Sequence, residues 1–145
     1  MKTNGGFLVT KIKQLGDRIF ERILAEKNID AFNVAQGRIL YVLWQEDGVP
    51  IKIISEKSGL AITSLTTMLE RMEKNGLISR KTDEADKRKT LLFLTDKAKE
   101  LKEAYDSVSN EMGNIYYRDF TDKEILQFEE YLNRIRVNLE EWSDK

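Results

Sequence analysis

Residues 51–95 read IKIISEKSGLAITSLTTMLERMEKNGLISRKTDEADKRKTLLFLT. Just upstream, Asp47-Gly48-Val49-Pro50 stops a preceding helix, because glycine accepts positive φ and proline cannot extend a helix. Ile51 to Lys57 then predicts a short helix, Ser58-Gly59 a tight turn, and Leu60 to Lys74 a second helix closed by Asn75-Gly76 in the manner of a C-terminal cap. Leu77 to Lys81 and Arg88 to Leu94 are β-leaning runs on either side of the polar loop from Thr82 to Lys87, which reads as a hairpin. Its loop has no Asn-Gly or Asp-Gly, so the turn is longer than two residues. Short helix, glycine turn, helix and hairpin together predict a winged helix-turn-helix.

The second helix of that unit has two unlike faces. On a helical wheel Leu65, Met68, Leu69 and Met72 fall within about 60° of one direction, at 100° per residue. Thr63, Thr67, Glu70 and Lys74 fall opposite, with Ser64, Thr66 and Arg71 on the flanks. Short hydroxyl side chains let a helix sink into a major groove and bond base edges or phosphates, and the N-terminal end, which enters first, is the hydroxyl-rich one. An ordinary amphipathic bundle helix accounts for the same stripe, but four Ser/Thr in Thr63–Thr67 are poor helix formers. Glu70 on the outer face either repels phosphate or accepts from a cytosine amine.

Charge is concentrated beside that helix. Arg71 to Lys89 holds seven bases (Arg71, Lys74, Arg80, Lys81, Lys87, Arg88, Lys89) against four acids, whereas 97–145 holds eight bases and twelve acids. The imbalance suits a molecule that meets phosphates at one end. A basic hairpin tip can reach a flanking minor groove, where arginine gains from the negative potential. A solvated hairpin tip is the plainer reading of the same Lys-Arg-Lys.

Outward from this centre the chain is helical. Phe7, Leu8, Ile12, Leu15, Ile19 and Ile23 stripe a helix from about Phe7 to Lys27, and Ile39, Leu40, Leu43 and Trp44 face inward on a helix from Val34 to Glu46. Thr95-Asp96 opens a long helix with Ala98, Leu101, Tyr105, Val108, Met112 and Ile115 on one stripe. Thr121-Asp122-Lys123-Glu124 is a capping box that starts a last helix carrying Ile125, Phe128, Leu132, Ile135, Leu139 and Trp142. Three such stripes exceed what one small winged domain covers. They pack within the chain or interleave with a second copy, and their separation in sequence favours the second. The expected fold is mainly α: a winged helix-turn-helix with a two-stranded β-hairpin wing and an N- and C-terminal helical dimerisation layer. Its expected parts are 1–33 (N-terminal dimerisation helix), 34–95 (DNA-binding region) and 96–145 (C-terminal dimerisation helices).

Composition excludes other classes. The 145 residues carry 24 Lys+Arg against 25 Asp+Glu, a net charge of −1, with no Cys and no His. A uniformly basic DNA packager, a disulfide, a Cys/His zinc site and a thiol switch are all ruled out. Glu129-Glu130 and Glu140-Glu141 are paired carboxylates, but helical neighbours point about 100° apart and do not converge. No phosphate loop or nucleophile elbow is present, so neither enzyme nor cofactor nor metal is expected. No apolar run approaches the roughly 18 residues of a membrane span, and a cytoplasmic location is expected.

Gly76-Leu77-Ile78 with Arg80, then Asp86-Lys87-Arg88, then Leu94-Thr95 resembles the pattern of MarR-type transcriptional regulators. In that family a G-L-[IV]-x-R strand follows the recognition helix, D-x-R sits on the wing and L-T starts the next helix. The resemblance implies a homodimer that binds double-stranded DNA at a pseudo-palindromic operator, as a ligand-responsive repressor. Arg88 is then the wing arginine and Asp86 its positioning partner, with Arg71 as the counter-ion proposed for Asp86. Thr66 matches a DNA-contacting hydroxyl, Thr63 and Ser64 the helix entrance. Thr67 stands where many members carry Arg, and Ala98 where Gly is frequent. Thr67, Arg71, Lys74, Lys87 and Lys89 complete the expected DNA-contacting set. The resemblance also implies a small-molecule effector, often an aromatic acid. Tyr41, Trp44, Tyr116 and Tyr117 are the candidates for lining its cleft, although core or interface packing explains each of them as well. The competing function is a winged helix that uses the same surface to bind protein.

Overall fold

The stripe of threes and fours at the N-terminus becomes α1 (Gly5–Glu26) in the computed structural model, which describes residues 1–145. Asn28 at φ 57 ends it: Asn28 N–H reaches Ala25 O and Ile29 N–H reaches Leu24 O, the two bonds of a left-handed helix stop. There follow α2 (Val34–Gln45), β1 (Val49–Pro50), α3 (Ile51–Ser58), α4 (Ile62–Lys74), β2 (Ile78–Thr82), β3 (Thr90–Leu94), α5 (Asp96–Glu100), α6 (Lys102–Tyr116) and α7 (Asp122–Ser143). The chain falls into two compact units, 1–110 and 111–145.

In the first unit, Ile39, Leu40 and Leu43 of α2 meet Ile54 of α3, Leu65, Leu69 and Met72 of α4 and Leu92 of β3, all fully buried or nearly so. Each such side chain contributes about 1.5–3 kcal/mol relative to exposure. Asn33 and Gln36 cap α2 reciprocally, and Glu21 Oε1 accepts from Val34 N–H at 2.9 Å, tying α1 to the start of α2. Arg38 and Asp17 add a 2.7 Å ion pair between the same helices.

Four local features differ from the sequence reading. Val49–Pro50 is a third strand, pairing Val49 with Leu92 and Pro50 with Leu91, so the sheet order is β1-β3-β2. Proline fits there because an edge strand can do without one N–H. α4 begins at Ile62, not Leu60, because Ser55 Oγ donates to Leu60 O at 2.7 Å and Ser58 Oγ accepts from Leu60 N–H at 3.2 Å. Those bonds keep Leu60 out of the helix. Arg88 and Lys89 lie in the loop, since β3 starts at Thr90. The helix opened by Thr95 divides at Leu101, whose N–H bonds Ala98 O three residues back before Leu101 O accepts from Tyr105 N–H. Such a tightened turn leaves the apolar stripe in phase, so periodicity cannot see it.

In the second unit Thr121 and Glu124 form the capping box at the start of α7. Tyr117 packs edge-on against Phe120 and Phe128, at 5.7 and 6.2 Å between ring centroids. No side chain of α7 is fully buried within this chain.

Candidate nucleic-acid interface

α4 is anchored along one side and bare along the other. Leu65, Leu69 and Met72 are fully buried and Met68 half-buried, while Thr63, Ser64, Thr66, Thr67, Glu70, Arg71 and Lys74 are exposed. The helix starts at Ala61 without a side-chain cap, so its first amides remain open to an outside acceptor such as a phosphate. Thr66 Oγ1 donates back to Ile62 O at 3.0 Å, which spends its proton and leaves its lone pairs and methyl group facing out.

The far end of α4 closes on Gly76 at φ 76, with Gly76 N–H on Glu73 O and Leu77 N–H on Met72 O. Left-handed backbone is what glycine supplies there. The chain turns directly into β2, whose pairing with β3 runs from Ile78↔Leu94 to Thr82↔Thr90. Arg80 Nε reaches Glu73 Oε1 at 3.3 Å and links the strand to the helix.

The wing loop, residues 83–89, is internally bonded. Asp83 N–H donates to Lys89 O, Lys89 N–H to Asp86 O, and Ala85 N–H to Asp83 Oδ1. Asp86 accepts from Arg88 three times: from its backbone N–H at 3.1 Å, from Nε at 3.0 Å and from Nη2 at 3.2 Å. These bonds favour the carboxylate and hold Asp86 below the usual carboxylate range. The partner of Asp86 is thus Arg88, not Arg71. Two residues apart in a tight turn they meet without any long reach, whereas Arg71 makes no ion pair and stays exposed. Lys87 and Lys89 are exposed beside it, and the Arg88 side chain is 90% exposed. Lys81 Nζ lies 5.3 Å from the Phe93 ring centroid, a cation–π contact on the hairpin.

The aromatic candidates separate into two clusters. Tyr41 and Trp44 pack on Tyr105 at 5.9 and 5.2 Å, together with Phe20 and Phe32. Trp44 Nε1 donates to Ala98 O. Burial raises the Tyr105 phenol above its ordinary range. Tyr116 and Tyr117 instead contact each other at 5.1 Å in the second unit. There Tyr117 Oη donates to Glu129 Oε2 at 2.7 Å, and desolvation followed by the Glu129 carboxylate pushes the phenol up to about 12. No three carboxylates converge as metal ligands, and no helix is long and apolar enough to cross a membrane.

Sequence reasoning placed Asp47-Gly48 only as a helix stop and Thr95 only as the start of the next helix, and missed the bonds by which they hold the base of the wing. Asp47 Oδ1 accepts from Leu94 N–H at 2.8 Å, and Gly48 (φ 69) packs so closely on Phe93 that a Cβ would lie 2.6 Å from the ring. Thr95 Oγ1 donates to Gly76 O at 2.6 Å and accepts from Ala98 N–H at 3.2 Å, while Lys97 Nζ donates to Asn75 O at 3.1 Å. For Thr95 the helix-opening role was legible, since a threonine immediately before a helix has a capping preference, and the structure adds its bond to Gly76 O.

Comparison with known proteins gives a consistent picture. A model of the MarR family matches residues 32–90. The HTH-type transcriptional regulator TtmR of Methylorubrum extorquens is 33% identical over 98 residues, 68% of this chain and 49% of that protein. The organic hydroperoxide resistance transcriptional regulator of Bacillus subtilis is 39% identical over 77 residues, 52% of each. The chain spans about half the length of these two relatives. Among solved structures, a mutant MarR from E. coli complexed with operator DNA superposes with a TM-score of 0.80 at 22% identity, covering 90% of this chain and 91% of that one. Bordetella bronchiseptica BpsR, described as regulated in its DNA binding by 6-hydroxynicotinic acid, gives 0.82 at 18% identity over 92% and 99%. At these identities the superpositions establish the fold.

Proposed function

Because this chain belongs to the MarR family, we propose that it is a sequence-specific double-stranded DNA-binding transcriptional regulator, non-catalytic and cytoplasmic, that represses from a pseudo-palindromic operator as a homodimer. The observation that carries the reading is the division of α4: Leu65 and Leu69 have no exposure, yet the four hydroxyl residues between positions 63 and 67 are exposed, and the wing that follows is tipped with Arg88. Thr63, Ser64, Thr66 and Thr67 enter the major groove. Arg71, Lys74, Lys87 and Lys89 meet phosphates, and Arg88 takes the adjacent minor groove.

Dimerisation is supported by apolar side chains that their own units leave uncovered. On α1 these include Phe7 at 68% exposure, and on α7 Leu126 at 71% and Trp142 at 73%. Segments 1–33 and 96–145 supply this layer. Two-fold symmetry then sets two copies of α4 about one helical turn of DNA apart. A small-molecule effector belongs to the same reading, with the half-exposed Tyr41 ring stacked on Tyr105 as a platform for a planar aromatic. Trp44, Tyr116 and Tyr117 are the other candidates. A relative is named for organic hydroperoxide resistance, but a chain with no Cys has no thiol to oxidise.

The test is selection of a duplex from a random library, followed by anisotropy titration at several salt concentrations. With about eight phosphates neutralised per dimer, affinity falls about 10⁴-fold between 50 and 200 mM salt. Failure to select any duplex, with salt-independent association, overturns the reading in favour of a protein-binding winged helix.

A further inference from the structure

The buried leucines of α4 hold it against the core, but apolar packing is non-directional and leaves a helix free to slide and rotate by small amounts. Directional hydrogen bonds to the rest of the chain lie at one end of it. Three groups from outside the helix meet there: Arg80 on Glu73, Lys97 on the Asn75 carbonyl and Thr95 on the Gly76 carbonyl. Thr95 is the most connected of these. Its hydroxyl gives its one proton to Gly76 O at 2.6 Å and accepts the Ala98 amide that opens α5, and its own N–H donates to Leu77 O at 3.1 Å. One residue therefore joins the end of α4, the first rung of the β2–β3 ladder and the start of α5.

We infer that Thr95, assisted by Lys97, is the positioning residue that fixes the angle between α4 and the wing, so that both reach one DNA duplex together. The inference rests on the DNA-binding reading above. Geometry gives its size. From Thr95 at the joint to Thr90, where the ladder with Thr82 ends, is five residues, about 17 Å at roughly 3.3 Å per residue. A 10° rotation at the Gly76–Thr95 joint moves the wing tip by about 3 Å, the length of a hydrogen bond. Arg88 then misses its groove while α4 remains seated.

A double-mutant cycle separates this from a loss of stability. The full-length protein, Thr95→Val, Thr95→Ser and Lys97→Met are each prepared with and without Arg88→Ala. Each is titrated against the duplex that the unmodified protein selects from a random library, and the melting temperature of each is recorded. In the unmodified protein Arg88→Ala weakens binding by about tenfold or more. In the Thr95→Val background the same change costs less than twofold, because the wing is already out of reach, and Thr95→Ser restores the full cost. Lys97→Met gives the same loss of coupling to a smaller degree, and decides the matter if Thr95→Val does not fold. An Arg88→Ala cost equal in all backgrounds overturns the positioning role while leaving DNA binding intact. If the unmodified protein selects no duplex, or Arg88→Ala is silent in it, the DNA-binding reading of the wing fails and this inference with it.

Discussion

Asp86 takes the Nε and Nη2 edge of the Arg88 guanidinium on its two carboxylate oxygens, at 3.0 and 3.2 Å. The pair sits on a loop whose backbone is closed by its own bonds, and its arginine is almost wholly solvated. An exposed pair of this kind contributes little to global stability. What it does is restrict a long side chain to one direction, so less rotamer freedom is lost on binding. In the proposed DNA complex the remaining Nη1 edge is the one left to meet a groove.

Asp86→Ala therefore weakens DNA binding several-fold and lowers the melting temperature only slightly, as anisotropy and calorimetry on one sample will show. The pH dependence follows from the lowered Asp86 pKa. A carboxyl depressed in the folded state contributes stability above its unfolded pKa of about 4, and loses it only as pH falls through the folded value. Between pH 5 and 8 the Arg88 side-chain NMR resonances should hold constant, moving only at lower pH. Movement near neutrality means that another group governs the wing.

On α4 the Thr66 hydroxyl has already donated its proton to Ile62 O. In that rotamer it can only accept, so it favours the exocyclic amines of cytosine or adenine and offers its methyl group to thymine. Thr66→Val keeps the methyl group and replaces the accepting hydroxyl with a second methyl. Its affinity should fall most for duplexes with an amine at the contacted position, by about 1–3 kcal/mol, and least for thymine there. Equal losses on every duplex variant would make Thr66 a backbone contact.

The winged unit is legible in the sequence because its signals are local. Glycine at a helix end, a capping threonine, two β-leaning runs and a one-sided leucine stripe each report on fewer than a dozen residues. What escapes depends on partners distant in sequence. Val49–Pro50 becomes a strand only because Leu91 and Leu92 lie alongside. Asp47 looks like a turn residue until Leu94 N–H reaches it. Charge alone makes Arg71 a reasonable counter-ion for Asp86. The loop, by folding Arg88 back over two residues, supplies a nearer one. Residue type singles out the aromatic candidates, and type does not say that Tyr41 and Trp44 share Tyr105 while Tyr116 lies on Tyr117, beside Phe120 and Phe128.

Gly48 is the position where the fold tolerates least. Its φ of 69 disfavours any other residue, and an added Cβ lies 2.6 Å from the Phe93 ring, inside contact distance. Gly48→Ala should destabilise by about 1–3 kcal/mol, measured as a lowered urea midpoint with unchanged slope. Combining it with Phe93→Leu, which shortens the ring side chain, should cost less than the sum of the two changes. Strict additivity would mean that backbone strain alone is responsible.

Tyr117 predicts an alkaline transition in the second unit. Desolvation first, then the Glu129 carboxylate, raises its phenol from the ordinary 10 to about 12. A group whose folded pKa is raised contributes stability that is fully present below pH 10 and is lost as pH rises through 12. Absorbance titration of the five tyrosines against Tyr117→Phe should isolate one phenol near 12. In Glu129→Gln the same phenol should titrate lower, yet still above 10, because burial is the larger cause.

The apolar faces left bare on α1 and α7 lead to a prediction about mass. Leu139 is 64% exposed and Trp142 73% exposed, and contiguous patches of this kind on a stable protein mark an interface. Light scattering at micromolar concentration should give about twice the 16.9 kDa chain mass. Leu139→Glu with Trp142→Glu places charge on that patch and should shift the protein toward a monomer. Because these residues lie outside α4 and the wing, the monomer should keep weak, salt-sensitive DNA binding and lose its preference for paired half-sites at one-turn spacing. A double variant that still scatters as a dimer would place the interface elsewhere, and one that retains the spacing preference as a monomer would remove two-fold symmetry from the recognition mechanism.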